Sequence, residues 1–113
     1  MSKNSKDVLS NQDLENLFQK YNKICFGNAL PTPSEITFAA DKDMEENDGD
    51  CDQSGVIRIH EDFKDHPRIA ELTLLHEMIH HALFLENYQL DHGYRFGEEV
   101  NRIWRMGLYE RLV

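Results

Sequence analysis

Cysteine is scarce in this chain: Cys25 and Cys51 are the only two among 113 residues. Two are too few for a disulfide framework or a zinc ribbon, so they read as free thiols of a cytoplasmic protein. Proline is nearly as rare. Pro31 and Pro33 mark an extended connection, and Pro67 suits the first turn of a helix. No apolar run approaches the ~20 residues that a membrane span needs, and the first seven residues are polar, unlike a secretory signal. Positive charge is short as well, with 12 Lys and Arg against 21 Asp and Glu and a formal net charge of -9. The basic residues, Arg58, Lys64, Arg68, Arg95, Arg102, Arg105 and Arg111 among them, are scattered between acids. Affinity for phosphate rests on clustered Lys and Arg, so the charge argues against an autonomous nucleic-acid binder, and an association with DNA is expected only indirectly. There is no internal repeat and no low-complexity tract.

What remains is enough for one domain. Hydrophobic residues make up 40% of the chain, and a chain this short has no room for a second domain of ordinary size. A core of this size is modest, which makes a further tie such as a bound metal worth having. The expected organisation is a disordered N-terminus over residues 1–10 and a single domain over 11–113. Ser10 followed three residues on by Asp13 predicts a helix start. Leu14, Leu17, Phe18, Tyr21, Ile24 and Cys25 then follow at helical spacing, and Gly27 is the stop. Residues 36–40 read as a strand, 41–54 as an acidic loop or ragged hairpin, and Val56, Ile57 and Ile59 as a second strand.

A long helix is expected from Pro67 to about residue 87. Ile69, Leu72, Leu74, Leu75, Met78, Ile79, Ala82, Leu83 and Leu85 surround most of its circumference, the pattern of a buried helix. The gap in that coat is a wedge of Thr73, His76, Glu77, His80 and Phe84. A last helix after a loop over 88–93 carries Phe96, Val100, Ile103, Trp104, Gly107 and Leu108. The fold class is α+β: an N-terminal helix, a small antiparallel sheet, the long helix and a C-terminal helix.

His76-Glu77-Met78-Ile79-His80 is an H-E-x-x-H sequence. Residues four apart on a helix share a face, so both imidazoles can reach one Zn2+ ion. Glu77, roughly 100° round the helix, flanks the open position as general base for a metal-activated water. The bland alternative is a pair of core-facing histidines with a salt-bridging Glu. Burying two imidazoles and a carboxylate with nothing to satisfy them is costly, which favours the metal.

Catalytic zinc takes three protein ligands. His92 is placed for the third, because the loop before it is short enough to fold the last helix back on the first. Glu98 and Glu99 compete for that place, although acids near a helix start are also favoured by the macrodipole. His81 points elsewhere round the helix, as a supporting or rim residue, and His60 and His66 read as surface residues. Tyr88, Tyr94, Arg95 and His81 are the candidates for stabilising an oxyanion.

Taken together, these residues resemble the SprT-like (Spartan) metalloprotease family. The resemblance is carried by Leu74-Leu75-His76-Glu77-Met78-Ile79-His80 and by His92-Gly93 with Phe96. Phe18, Tyr21-Asn22, Phe26-Gly27, Leu30-Pro31 and Val56-Ile57-Arg58-Ile59 support it, so that it covers roughly residues 12 to 105. It implies a compact zincin-like domain with His76, His80 and His92 as zinc ligands and Glu77 as the catalytic group. It also implies a protease for proteins crosslinked to DNA. Members often carry C-terminal DNA-binding extensions, for which the acidic balance here gives no substitute, so protein cleavage is implied more directly than DNA coupling. In zincins an exposed strand beside the cleft pairs with an extended substrate, and Val56–His60 is the candidate.

Two rival patterns remain. Asp50, Asp52, Ser54, Gly55 and Glu61 have the spacing of an EF-hand calcium loop, but residues 45–49 have no apolar face to make its first helix. The other is a zinc-binding regulatory or interaction module without turnover. Structural zinc is usually closed by four protein ligands, and a three-ligand set beside a Glu argues against that use.

Overall fold

The computed structural model describes residues 8–44, 48–52, 55–86 and 93–107. The expected disordered tail falls mostly on residues 1–7, outside that range. The described part is a compact α+β domain of three long helices and a three-stranded sheet.

Helix α1 spans Asn11–Phe26. The Ser10 hydroxyl accepts from the Asp13 backbone N–H at 3.2 Å, and the Asp13 carboxylate accepts from the Ser10 N–H at 2.8 Å. This reciprocal cap satisfies two of the donors that a helix start leaves without partners. Gly27 ends the helix at φ 58°, a left-handed conformation that costs glycine little. The buried face carries Leu14, Phe18, Tyr21 and Cys25, whereas Ile24 turns out to solvent. Asn22 is also buried, and its side-chain amide pairs with Leu30 as a peptide would, donating to the carbonyl at 2.9 Å and accepting from the N–H at 3.1 Å.

The sheet comprises β1 (Glu35–Ala39), β2 (Gly49–Cys51) and β3 (Val56–His60), in the order β1-β3-β2. It is mixed, which corrects the antiparallel expectation. β3 runs antiparallel to β2, with Gly49 opposite Ile59 and Cys51 opposite Ile57, but parallel to β1 from Glu35 opposite Val56 to Ala39 opposite His60. A parallel pair needs a crossover of roughly a dozen residues or more. Residues 40–55, with the helical turn α2 (Asp41–Met44) and β2 itself, supply it. The described residues of the acidic segment thus form a helical turn and, with β3, the antiparallel pair of the expected hairpin. β2 overlaps the start of the Asp50–Glu61 spacing, β3 lies inside it and only a short 3-10 turn, Glu61–Phe63, follows, so the paired helices of an EF-hand are not realised among the described residues.

The central place of β3 has a second consequence. Its backbone is hydrogen-bonded on both sides, so Val56–His60 has no free edge for a substrate. Among the described residues the free edges belong to β1 and β2. His60, expected at the surface, is buried at the end of β3, where Nδ1 accepts from the Asp62 N–H at 3.0 Å. His66 is exposed as expected.

Helix α3 spans Pro67–Leu85, with Pro67 in its first turn. It packs against β2, β3, α1 and the last helix, α4 (Tyr94–Arg105). Ala70, Leu74, Leu75, Met78, Ile79 and Leu83 are fully or almost fully buried, as a helix coated nearly all round requires. Tyr21 ties α1 to it through a hydrogen bond to the Glu71 carboxylate. No helix of the described residues is long and apolar enough to cross a membrane.

Candidate metal centre

The long helix α3 brings His76, Glu77 and His80 to one place. His76 Nε2 and His80 Nε2 are 3.3 Å apart, and their ring centroids 4.9 Å. Two ligands at ~2.0–2.1 Å from a tetrahedral ion stand about 3.3–3.4 Å from each other, so the separation and the imidazole donors both fit zinc. Phe96, in the first turn of α4, lies over both rings with centroids 4.9 Å from His76 and 4.7 Å from His80. It is nearly buried, and it walls one side of the pair with apolar surface.

Glu77 is 4% exposed. Burial first, and then the negative charge of Asp50, push its pKa from the usual 4.5 up to about 8. The neighbouring strand β2 supplies that surrounding. Gly49 and Cys51 face α3, while Asp50 points to the other side and pairs with Arg58 through two hydrogen bonds of 3.0 and 2.5 Å. A Cβ added at Gly49 would lie 2.7 Å from Thr73 Cγ2, 3.1 Å from the Arg58 carbonyl oxygen and 3.2 Å from Glu77 Oε2. Cys51 is buried, and its thiol is pushed up to about 12 by desolvation and then by the charges of Glu77, Asp52 and Asp50. Cys25 is the other free cysteine, also buried.

The remaining candidates divide. His92 and Tyr88 lie outside the described residues. No three His, Cys, Asp or Glu side chains converge as a metal-holding group among the described residues. Glu99 is engaged elsewhere, accepting from Arg95 at 2.9 Å and from Arg102 at 2.8 Å. Burial raises its pKa, but those hydrogen bonds and charges outweigh it and the net shift is downward. Glu98 is exposed, 3.9 Å from Arg95. Arg95 is held by Glu86 at 2.9 Å as well as by Glu99, and Tyr94 is 78% exposed. His81 is no rim residue: it is buried, with Nε2 2.9 Å from the Pro31 carbonyl oxygen and its ring edge-on to Phe18. It braces α3 against the N-terminal connection.

Two features escaped the sequence. Gly49 reads there as one more turn residue in an acidic loop, because its neighbour Thr73 is distant along the chain. Phe96 reads as a core residue of an amphipathic helix, with no local sign that both imidazoles lie beneath it.

The family model described as SprT-like matches residues 14–110 of the chain. No curated protein and no solved structure gives a significant match.

Proposed function

The chain belongs to the SprT-like family, and from that premise we propose that it is a zinc-dependent metallopeptidase of zincin type. His76, His80 and His92 would hold the ion, and Glu77 would act as general base. The observation that carries the reading is the pair of imidazole nitrogens 3.3 Å apart on one helix, with a buried carboxylate beside them. His92 precedes Gly93, and α4 begins at Tyr94. Phe96 packs on both imidazoles within one turn, ~5 Å along the axis, of that entry. The chain therefore enters α4 close to the two histidines, which supports His92 as the third ligand.

A zinc ion held there supplies positive charge that polarises a carbonyl and makes a neighbouring water more acidic. Glu77 takes the proton from the attacking water and later delivers it to the leaving amine. In the metal-free chain its buried seat disfavours the ionised form, and the charge of a bound zinc ion would offset that. Phe96 limits water on its side of the imidazoles and holds the rings in orientation.

The substrate is a protein or peptide in extended form. β2 replaces Val56–His60 as the strand it would pair with, because β2 has an edge with no described strand beyond it and lies against Glu77. Proteins attached to DNA are the substrates the family suggests, with the DNA contacted indirectly given the net charge of -9. Buried, free thiols suit a reducing compartment such as the cytoplasm.

Metal analysis of the purified protein, with casein hydrolysis measured in parallel, tests the reading. One zinc per chain is expected, lost in His92→Ala; Glu77→Gln keeps the zinc and stops hydrolysis. Undiminished hydrolysis by Glu77→Gln would refute the assigned chemistry. Zinc retained in His92→Ala would remove His92 from the site. Stoichiometric zinc without hydrolysis in the wild type would leave a binding module.

A further inference from the structure

Glycine is a poor choice within a strand, since it orders an unusually free backbone and gives no side chain to pack. Gly49 does not answer a need for left-handed backbone, for its φ lies outside that region. Space explains it. Its three neighbours across the gap are Thr73 Cγ2, the Arg58 carbonyl oxygen and Glu77 Oε2, all within 3.2 Å of where a Cβ would stand. Thr73 cannot easily turn away, because its hydroxyl donates to the Ile69 carbonyl at 2.8 Å and so fixes the rotamer. The Arg58 carbonyl belongs to the backbone of the central strand β3 and moves only with the sheet.

We propose that Gly49 is a positioning residue for Glu77, its missing side chain letting β2 seat on Thr73 and keep the carboxylate against the inner face of that edge strand. The proposal rests on the reading of Glu77 as general base. A general base works over a heavy-atom reach of ~2.6–3.2 Å, and a misplacement of ~1 Å costs roughly a hundredfold in rate. Any side chain at position 49 forces a choice between displacing β2 and displacing the carboxylate. The two effects separate through Thr73. T73S removes the methyl group that a new Cβ would strike but leaves the contact with Glu77 in place.

The test compares wild type, G49A, T73S and the double variant G49A/T73S, each with zinc content, casein hydrolysis and thermal unfolding measured. In zinc-loaded G49A, where β2 also shifts, kcat is expected to fall about tenfold and KM to rise with it, whereas in the double variant KM stays within about twofold of that of T73S. In the double variant the melting temperature recovers toward that of T73S, short of it by the remaining contact with the Arg58 carbonyl, while kcat remains at least about fivefold below that of T73S. Full recovery of kcat together with stability would make Gly49 a packing residue only, and overturn the proposal. An unchanged kcat in folded, zinc-loaded G49A would overturn it too, as would loss of zinc in parallel with activity. Crystal structures of wild type and G49A, or of the double variant should G49A fail to fold, read the carboxylate without any turnover. A Glu77 side chain displaced from Gly49 supports the seat even if the wild type proves inactive on casein, which would refute the peptidase reading alone. An unmoved carboxylate overturns the seat.

Discussion

With no metal bound, the protein carries an acid in a place that disfavours charge, and Glu77→Gln should reveal this as stability. Glu77 titrates at about 8 in the folded chain against 4.5 in the ordinary state. Between those values the folded form holds a proton that the unfolded form has released, so stability falls as pH rises. Below about 4.5 both forms are protonated and the group contributes nothing; above about 8 the loss is complete. At 1.36 kcal/mol per unit, the part of the shift expressed between about pH 5.5 and pH 8 is roughly 3 kcal/mol, an order-of-magnitude figure. Glutamine has nearly the same shape and no such titration. Urea denaturation of wild type and Glu77→Gln in the presence of a chelator measures the difference directly, and subtraction cancels the other titrating groups. The stability gap in favour of Glu77→Gln should widen by about 3 kcal/mol across that range, or roughly 10–15 °C in melting temperature. A gap independent of pH, or one that widens toward acid, would mean that Glu77 is ionised and paired in the fold, and the account of its burial would fail. On the proposed chemistry the same variant should be inert as a hydrolase, so one substitution would raise the stability of the metal-free protein and abolish turnover.

Three further outcomes are expected. Phe96→Leu, which keeps bulk but loses the ring over His76 and His80, should weaken zinc binding about tenfold by competition with a chromophoric chelator; unchanged affinity would show that the ring does not orient the imidazoles. Ser10→Ala breaks the reciprocal cap of α1 and should cost about 1 kcal/mol, or about 3–5 °C in melting temperature, without altering kcat; loss of activity at a temperature where the variant is folded would contradict the separation of this cap from the site. Both thiols should resist Ellman's reagent in the native protein at about pH 8, since burial pushes Cys25 up to about 11 and Cys51 to about 12, and both should react once urea unfolds the chain. Fast native labelling of either would disprove its burial.

Much of the fold was legible because it follows local rules. Ser10 and Asp13 form their cap within four residues, and Gly27 ends the same helix. The run from Pro67 to Leu85 declares a buried helix through its own spacing. The limits of β3, Val56–His60, likewise follow the local alternation. What the local pattern missed was partnership. The same alternation that marks Val56–His60 as a strand is silent on whether that strand is an edge or the centre, and it proved to be the centre. The burial of His60 has the same origin, whereas the Arg95 and Arg102 contacts of Glu99 follow helical spacings of four and three residues.

By itself, then, the sequence determined that His76, Glu77 and His80 lie one helical turn together on a helix with apolar neighbours. Backbone hydrogen bonds over four residues dictate that spacing whatever the rest of the molecule does. Their surroundings come from the packed fold: Phe96 over the imidazoles, Gly49 of an edge strand against the carboxylate, and Asp50 close enough to raise its pKa. Desolvation and close packing depend on atoms brought together from remote parts of the chain, and no local pattern encodes them.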